Sequence, residues 1–170
     1  MAGYGCGAPT TAAFTEHGWW SQGLDGFIQV SSGGPRAPGC DGAFDAMPMS
    51  GSATSDDPDN YAWWSFSTSP VANGRCQIGV YVPDDPSPEH VGGHPAVYQV
   101  YGSAGVSGTP LGSFAIDQPA NRGQWVSGGS WPVTRGTLTV KVDSRGIDWN
   151  SSGPDYAHIA ISAVRVSCAS

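Results

Sequence analysis

An all-β chain, folded as an antiparallel sandwich of eight or nine strands with jelly-roll connectivity, is the expectation for these 170 residues. Three observations lead there. Short β-prone runs alternate apolar and polar side chains with a period of two, turn residues interrupt them roughly every eight to twelve positions, and no stretch shows a convincing amphipathic-helix pattern. The 25 Gly and 14 Pro agree, because both disfavour regular helix and both supply turns.

Along the chain the first strand is predicted at 26–31, before the Gly33-Gly34-Pro35 turn. The next, 61–68, places Ala62, Trp64 and Phe66 on one face and Tyr61, Trp63, Ser65 and Ser67 on the other. After Asn73-Gly74 comes 76–82, with Cys76, Ile78, Val80 and Val82 opposite Gln77, Gly79 and Tyr81. Strands follow at 96–101, 113–118 and 124–127, the last ending before Gly128-Gly129. The alternation is cleanest in 137–143, where Leu138, Val140 and Val142 point inward and Thr139, Lys141 and Asp143 outward. In 158–168 the phase changes between Ile161 and Val164, as a bulge near Ala163 would produce. Residues 19–170 are thus expected to form one sandwich domain, with 1–18 as an irregular arm packed on it.

Parity bears on the cysteines. Cys76 is in phase with Ile78 and Val80, and Cys168 with Val164 and Val166, so both thiols are expected to face the core and to pair; Cys6 then falls to Cys40. Three connectivities are open to four cysteines, and this is the first choice among them. Two disulfides, a single lysine and no Cys-x-x-Cys fit a secreted protein, and Met1 reads as the start of a mature exported chain. A net charge of −7 is the wrong sign for phosphate backbones, which argues against nucleic acid, and no apolar run is long enough for membrane insertion.

Several of these runs, taken in order, resemble a known group. Tyr61-Ala62-Trp63-Trp64-Ser65-Phe66, the stretch from Asn73 to Pro83, Asp117-Gln118, Gly123-Gln124-Trp125-Val126 and Ile161-Ser162-Ala163-Val164-Arg165-Val166 are similar to the golvesin C-terminal-like domains, over about Trp19 to Val166. These are bacterial jelly-roll modules, similar to the carbohydrate-binding modules of secreted polysaccharide-degrading enzymes. The resemblance implies an extracellular sandwich that binds polysaccharide or cell-envelope glycan beside larger secreted proteins. The sequence departs from the group at Ser162, where an acidic residue is common, and at 84–95, where Asp, Pro, His and Gly replace a more aromatic stretch.

Sugar recognition needs flat exposed aromatic faces, with Asp, Asn or Gln beside them for the hydroxyls. Trp149, between Asp148 and Asn150 in a polar loop, is the strongest candidate; Trp19, Trp20 and the outward-phase Trp63 and Tyr101 follow. His90 and His94 add imidazoles in the loop that also holds Asp84, Asp85 and Glu89, and this loop would serve the competing reading, a small polysaccharide hydrolase or lyase. Asp56, Asp57 and Asp59 offer oxygen ligands for Ca²⁺, without the glycine and terminal glutamate of an EF-hand loop. No other cofactor is expected. No Gly-x-Ser-x-Gly or His-Glu-x-x-His signature nominates a catalytic group, so the leading expectation is a non-catalytic carbohydrate-binding module. A structural adaptor that docks on a partner protein is the third class.

Overall fold

The computed structural model describes all 170 residues. In chain order the strands are β1 (Ala2–Gly3), β2 (Ala12–His17), β3 (Ile28–Val30), β4 (Phe44–Pro48), β5 (Tyr61–Ser67), β6 (Gly74–Val82), β7 (Ala96–Tyr101) and β8 (Gly112–Ile116). After a 3₁₀ turn at Pro119–Asn121 come β9 (Gln124–Val133), β10 (Thr137–Asp143), β11 (Trp149–Asn150), β12 (Gly153–Pro154), β13 (His158–Ile161) and β14 (Ala163–Ala169). They form a four-stranded sheet β1-β14-β6-β9, a five-stranded sheet β2-β5-β10-β7-β8, a three-stranded sheet β13-β4-β3 and the hairpin β11-β12. Every strand pairing is antiparallel, and the order is compatible with a jelly roll. No helix is long and apolar enough to cross a membrane.

The period-two pattern sets the core. Ala62, Trp64 and Phe66 of β5, Leu138, Val140 and Val142 of β10 and Tyr98 and Val100 of β7 meet Cys76, Ile78, Val80 and Val82 of β6 in one buried cluster. Trp64 is large enough to reach past its own sheet, and its indole N–H donates to the Ser162 carbonyl at 3.1 Å. The phase change at the C-terminal run is a crossing between sheets: β13 pairs with β4, the ladder breaks at Ser162, and β14 then pairs with β6 and β1.

Both disulfides are Cys6–Cys40 and Cys76–Cys168. Cys76 and Cys168 are directly opposite in the β6–β14 ladder, so the bridge staples neighbours within one sheet while facing the core.

Three sequence expectations need correction. Residues 12–17 are not irregular: β2 is an edge strand of the five-stranded sheet, paired with β5 from Ala12↔Phe66 to His17↔Tyr61. Thr139 and Asp143 occupy outward positions yet are fully buried. Loop residues 102–109 fold over Thr139, whose hydroxyl donates to the Ser103 carbonyl at 2.7 Å, and Lys141 lies 2.6 Å from Asp143 with its ammonium over the Tyr61 ring. Tyr101, also outward by parity, is only 6% exposed and donates its phenol proton to Gln99, so it offers no open aromatic face.

Candidate functional site

The loops that follow β4, β10 and β12 meet the 19–27 and 88–97 segments at one rim of the sandwich, and Trp149 stands at their centre. The β11–β12 hairpin holds it there. Trp149 pairs with Pro154, the Asp148 carbonyl accepts from the N–H groups of Asp155 and Tyr156 at 2.9 and 3.2 Å, and Gly153 takes the φ of 124° that closes the turn. The indole is 55% exposed, the highest value among the large apolar side chains, although its N–H lies 3.4 Å from the Gly51 carbonyl.

Trp149 divides two open clefts that share Met49 as floor. The first, about 560 Å³, is bordered by Trp20, Leu24, Asp25, Asp57, Asp148 and Tyr156. The second, about 350 Å³, is bordered by His94, Arg145, Ile147 and Asp155. Trp20, Leu24 and Ile147 are themselves exposed, so the rim gathers four of the six large exposed apolar side chains of the molecule. Tyr156 is the one non-glycine residue with positive φ, at 53°, a backbone state disfavoured for a bulky side chain and held by the Asp148 bond and by His158 behind it. Buried His158 places Nδ1 2.6 Å from the Tyr156 carbonyl and Nε2 2.8 Å from the Gly26 carbonyl, tying the hairpin to the 19–27 segment.

The sequence candidates separate into groups. Trp20, Asp148, Trp149 and His94 border the two clefts, and Asn150 sits at the exposed hairpin tip, its side-chain carbonyl accepting from the Ser152 N–H. Trp63 and Tyr101 belong to the outer face of the five-stranded sheet and border neither cleft. Trp19 is 48% exposed and turns to the Asp45 carboxylate. The loop 84–95 does not converge. His90 Nδ1 pairs with Asp85 at 3.0 Å, whereas His94 Nδ1 pairs with Asp117 at 2.8 Å, a bond that holds the Asp117 carboxyl below the usual carboxylate range.

Of the three aspartates offered as calcium ligands, Asp56 and Asp57 are engaged by other groups of the protein. Asp56 pairs with Arg145 at 3.2 Å; burial pushes its carboxyl up, and the guanidinium bond, its own backbone N–H and the charges of Lys141 and Arg145 together bring it below the ordinary value. Asp57 accepts from the Asp59 N–H at 2.9 Å and the Asn60 amide at 2.7 Å. No group of three or more His, Cys, Asp or Glu is arranged to hold a metal ion.

Sequence reasoning passed over Met49, Arg145, Asp155 and Tyr156, and it passed over a buried acid pair. Glu16 lies on the inward side of β2, where burial and then the adjacent Asp45 carboxylate push it well up; burial raises Asp45 too. Glu16 Oε1 and Asp45 Oδ2 are buried without a hydrogen-bond partner, and burial together with the neighbouring Asp45 carboxyl favours the protonated form of Glu16. Neither borders a cleft bordered by Trp149. Compared with known proteins, no family model matches the chain, and no curated protein or solved structure matches it.

Proposed function

We propose that this protein is a secreted, non-catalytic module that binds carbohydrate, such as a cell-envelope polysaccharide, at the Trp149 rim. The observation that carries the reading is the half-exposed indole between two open clefts, with carboxylates on one side and Arg145, His94 and Asp155 on the other. An indole face packs against pyranose C–H groups, and acceptors such as Asp25 and Asp148 take sugar hydroxyl protons; the clefts are shallow, so affinity per site is low and gains from multivalency. Two disulfides favour an oxidising compartment, and the strand motifs that resemble golvesin C-terminal-like domains point the same way. The deciding experiment is a polysaccharide pull-down followed by titration calorimetry on the best binder. Trp149→Ala is expected to weaken binding at least tenfold at an unchanged melting temperature. Wild-type binding by this variant, or no glycan retained from a broad panel, overturns the reading.

A further inference from the structure

The outward face of the four-stranded sheet carries a further recess, which shares no residue with the two Trp149 clefts and is built from different chemistry. It holds about 460 Å³ between Gln77, Gly79, Trp125, Ser127, Arg165 and Ser167. Its shape follows from one residue. Gly79 sits opposite Ser127 in β9 and Arg165 in β14, next to the register shift in β6, and a Cβ there would meet Arg165 Nε at 2.9 Å and Cγ at 3.2 Å. Without that Cβ, the guanidinium carbon sits over the Trp125 indole, 4.3 Å from the ring centroid, and Tyr81 packs edge-on against the same indole.

Stacking engages the face of a guanidinium and leaves its N–H edge for a planar bidentate acceptor. Arg165 has no such acceptor within the protein: the four ion pairs involve His90, His94, Lys141 and Arg145. The surroundings are selective as well. The chain has twice as many acids as bases, 14 against 7, yet the outward positions of this sheet are Arg75, Gln77, Gly79 and Tyr81 of β6, Trp125, Ser127, Ser130 and Pro132 of β9, and Arg165, Ser167 and Ala169 of β14, with no carboxylate among them. Arg75 is fixed beside the recess by its bonds to the Ser130 hydroxyl at 3.0 Å and carbonyl at 2.6 Å.

We infer that this recess binds the carboxylate of a uronate sugar, with Arg165 as the charged fork and Gln77, Ser127 and Ser167 as partners for ring hydroxyls. A recess with one free guanidinium and the neutral side chains of Gln77, Ser127 and Ser167 suits a single planar carboxylate among ring hydroxyls better than a polyphosphate, which needs several cationic side chains. The site is independent of the Trp149 rim, and either can fail alone.

The test is titration of the whole chain with an α-1,4-linked galacturonate oligomer, with its carboxyl-reduced counterpart and with a single-stranded DNA oligonucleotide of equal charge, following Trp fluorescence and heat. The galacturonate oligomer is expected to bind at least tenfold tighter than the reduced form and to weaken with added salt. Arg165→Gln and Arg165→Lys should each cost about tenfold, the latter because a point charge lacks the fork. Gly79→Ala, which keeps the charge but displaces the guanidinium from Trp125, should also weaken binding. Equal affinity for the two galacturonan forms, tighter binding of DNA, or unchanged binding by Arg165→Gln at a wild-type melting temperature each overturn the inference.

Discussion

Gln118 shows how one side chain substitutes for a strand. Fully buried beside β13, it accepts from the Ala160 N–H at 2.9 Å and donates to the Ala160 carbonyl at 2.9 Å, completing backbone groups that β4 does not reach. Gln118→Leu keeps the volume and orphans both, and is expected to cost about 3 kcal/mol in urea denaturation; a loss below about 1 kcal/mol would mean the backbone finds another partner. Glu16 makes an opposite kind of demand. Its folded-state value, near 8, lies above the ordinary Glu value of 4.5, so the folded state keeps a proton that the unfolded chain releases. Stability is therefore highest below about pH 4.5 for this group and falls as pH rises towards 8. Glu16→Gln, whose amide can donate to Asp45, should remove on the order of 2 kcal/mol of that pH dependence, read as the difference in urea stability between pH 5 and pH 8. Identical profiles for variant and wild type would show that the proton is not held there.

At the level of the elements, alternation succeeded where one face is buried and the other open. Strands β5, β7 and β10 lie where the pattern placed them, within a residue. It missed β4, Phe44–Pro48, because all five residues are buried and a strand covered on both faces does not alternate. It missed β2 because the inward set is Ala12, Phe14 and Glu16, with one large apolar side chain and an acid on the core side. In β9 the Gly128-Gly129 pair reads as a turn, whereas the strand runs through it as a bulge that sets two residues against Ile78 of β6. Parity did suffice for the cysteine pairing, since it states which way a thiol points. The separations of 92 and 34 residues give about 4–5 kcal/mol for Cys76–Cys168 and about 3–4 kcal/mol for Cys6–Cys40 from loop closure. Cys76 is also fully buried, so the Cys76→Ala, Cys168→Ala double variant should lower the denaturation midpoint more than the Cys6→Ala, Cys40→Ala variant. The reverse order would place the stabilising role at the N-terminal loop.

Taken as a whole molecule, the rim assembles Trp20, Met49, Asp57, His94, Arg145, Trp149 and Tyr156 from loops spread across 137 positions of sequence. An aromatic residue in a polar loop can be nominated from its neighbours, as Trp149 with Asp148 is, and these two border the clefts. Which loops meet is decided by strand order, which short-range periodicity does not encode, so Met49, Arg145 and Tyr156 carried no signal. The same limit holds for the aspartates at 56–60: counting oxygens there says nothing of Arg145, which arrives from 89 positions away to pair with Asp56. Net charge misleads in a similar way, because an average of −7 conceals a sheet face whose only charged side chains are Arg75 and Arg165.

The two covalent staples also decide how the molecule responds to tension. Pulled by its ends while oxidised, the chain transmits load through sulfur across β6 and β14 and leaves everything between Cys76 and Cys168 slack, as it does between Cys6 and Cys40. Of a contour length of roughly 600 Å, only about 150 Å is free to extend. Most of the sandwich, including the Trp149 hairpin, is thereby shielded from any force borne along the backbone.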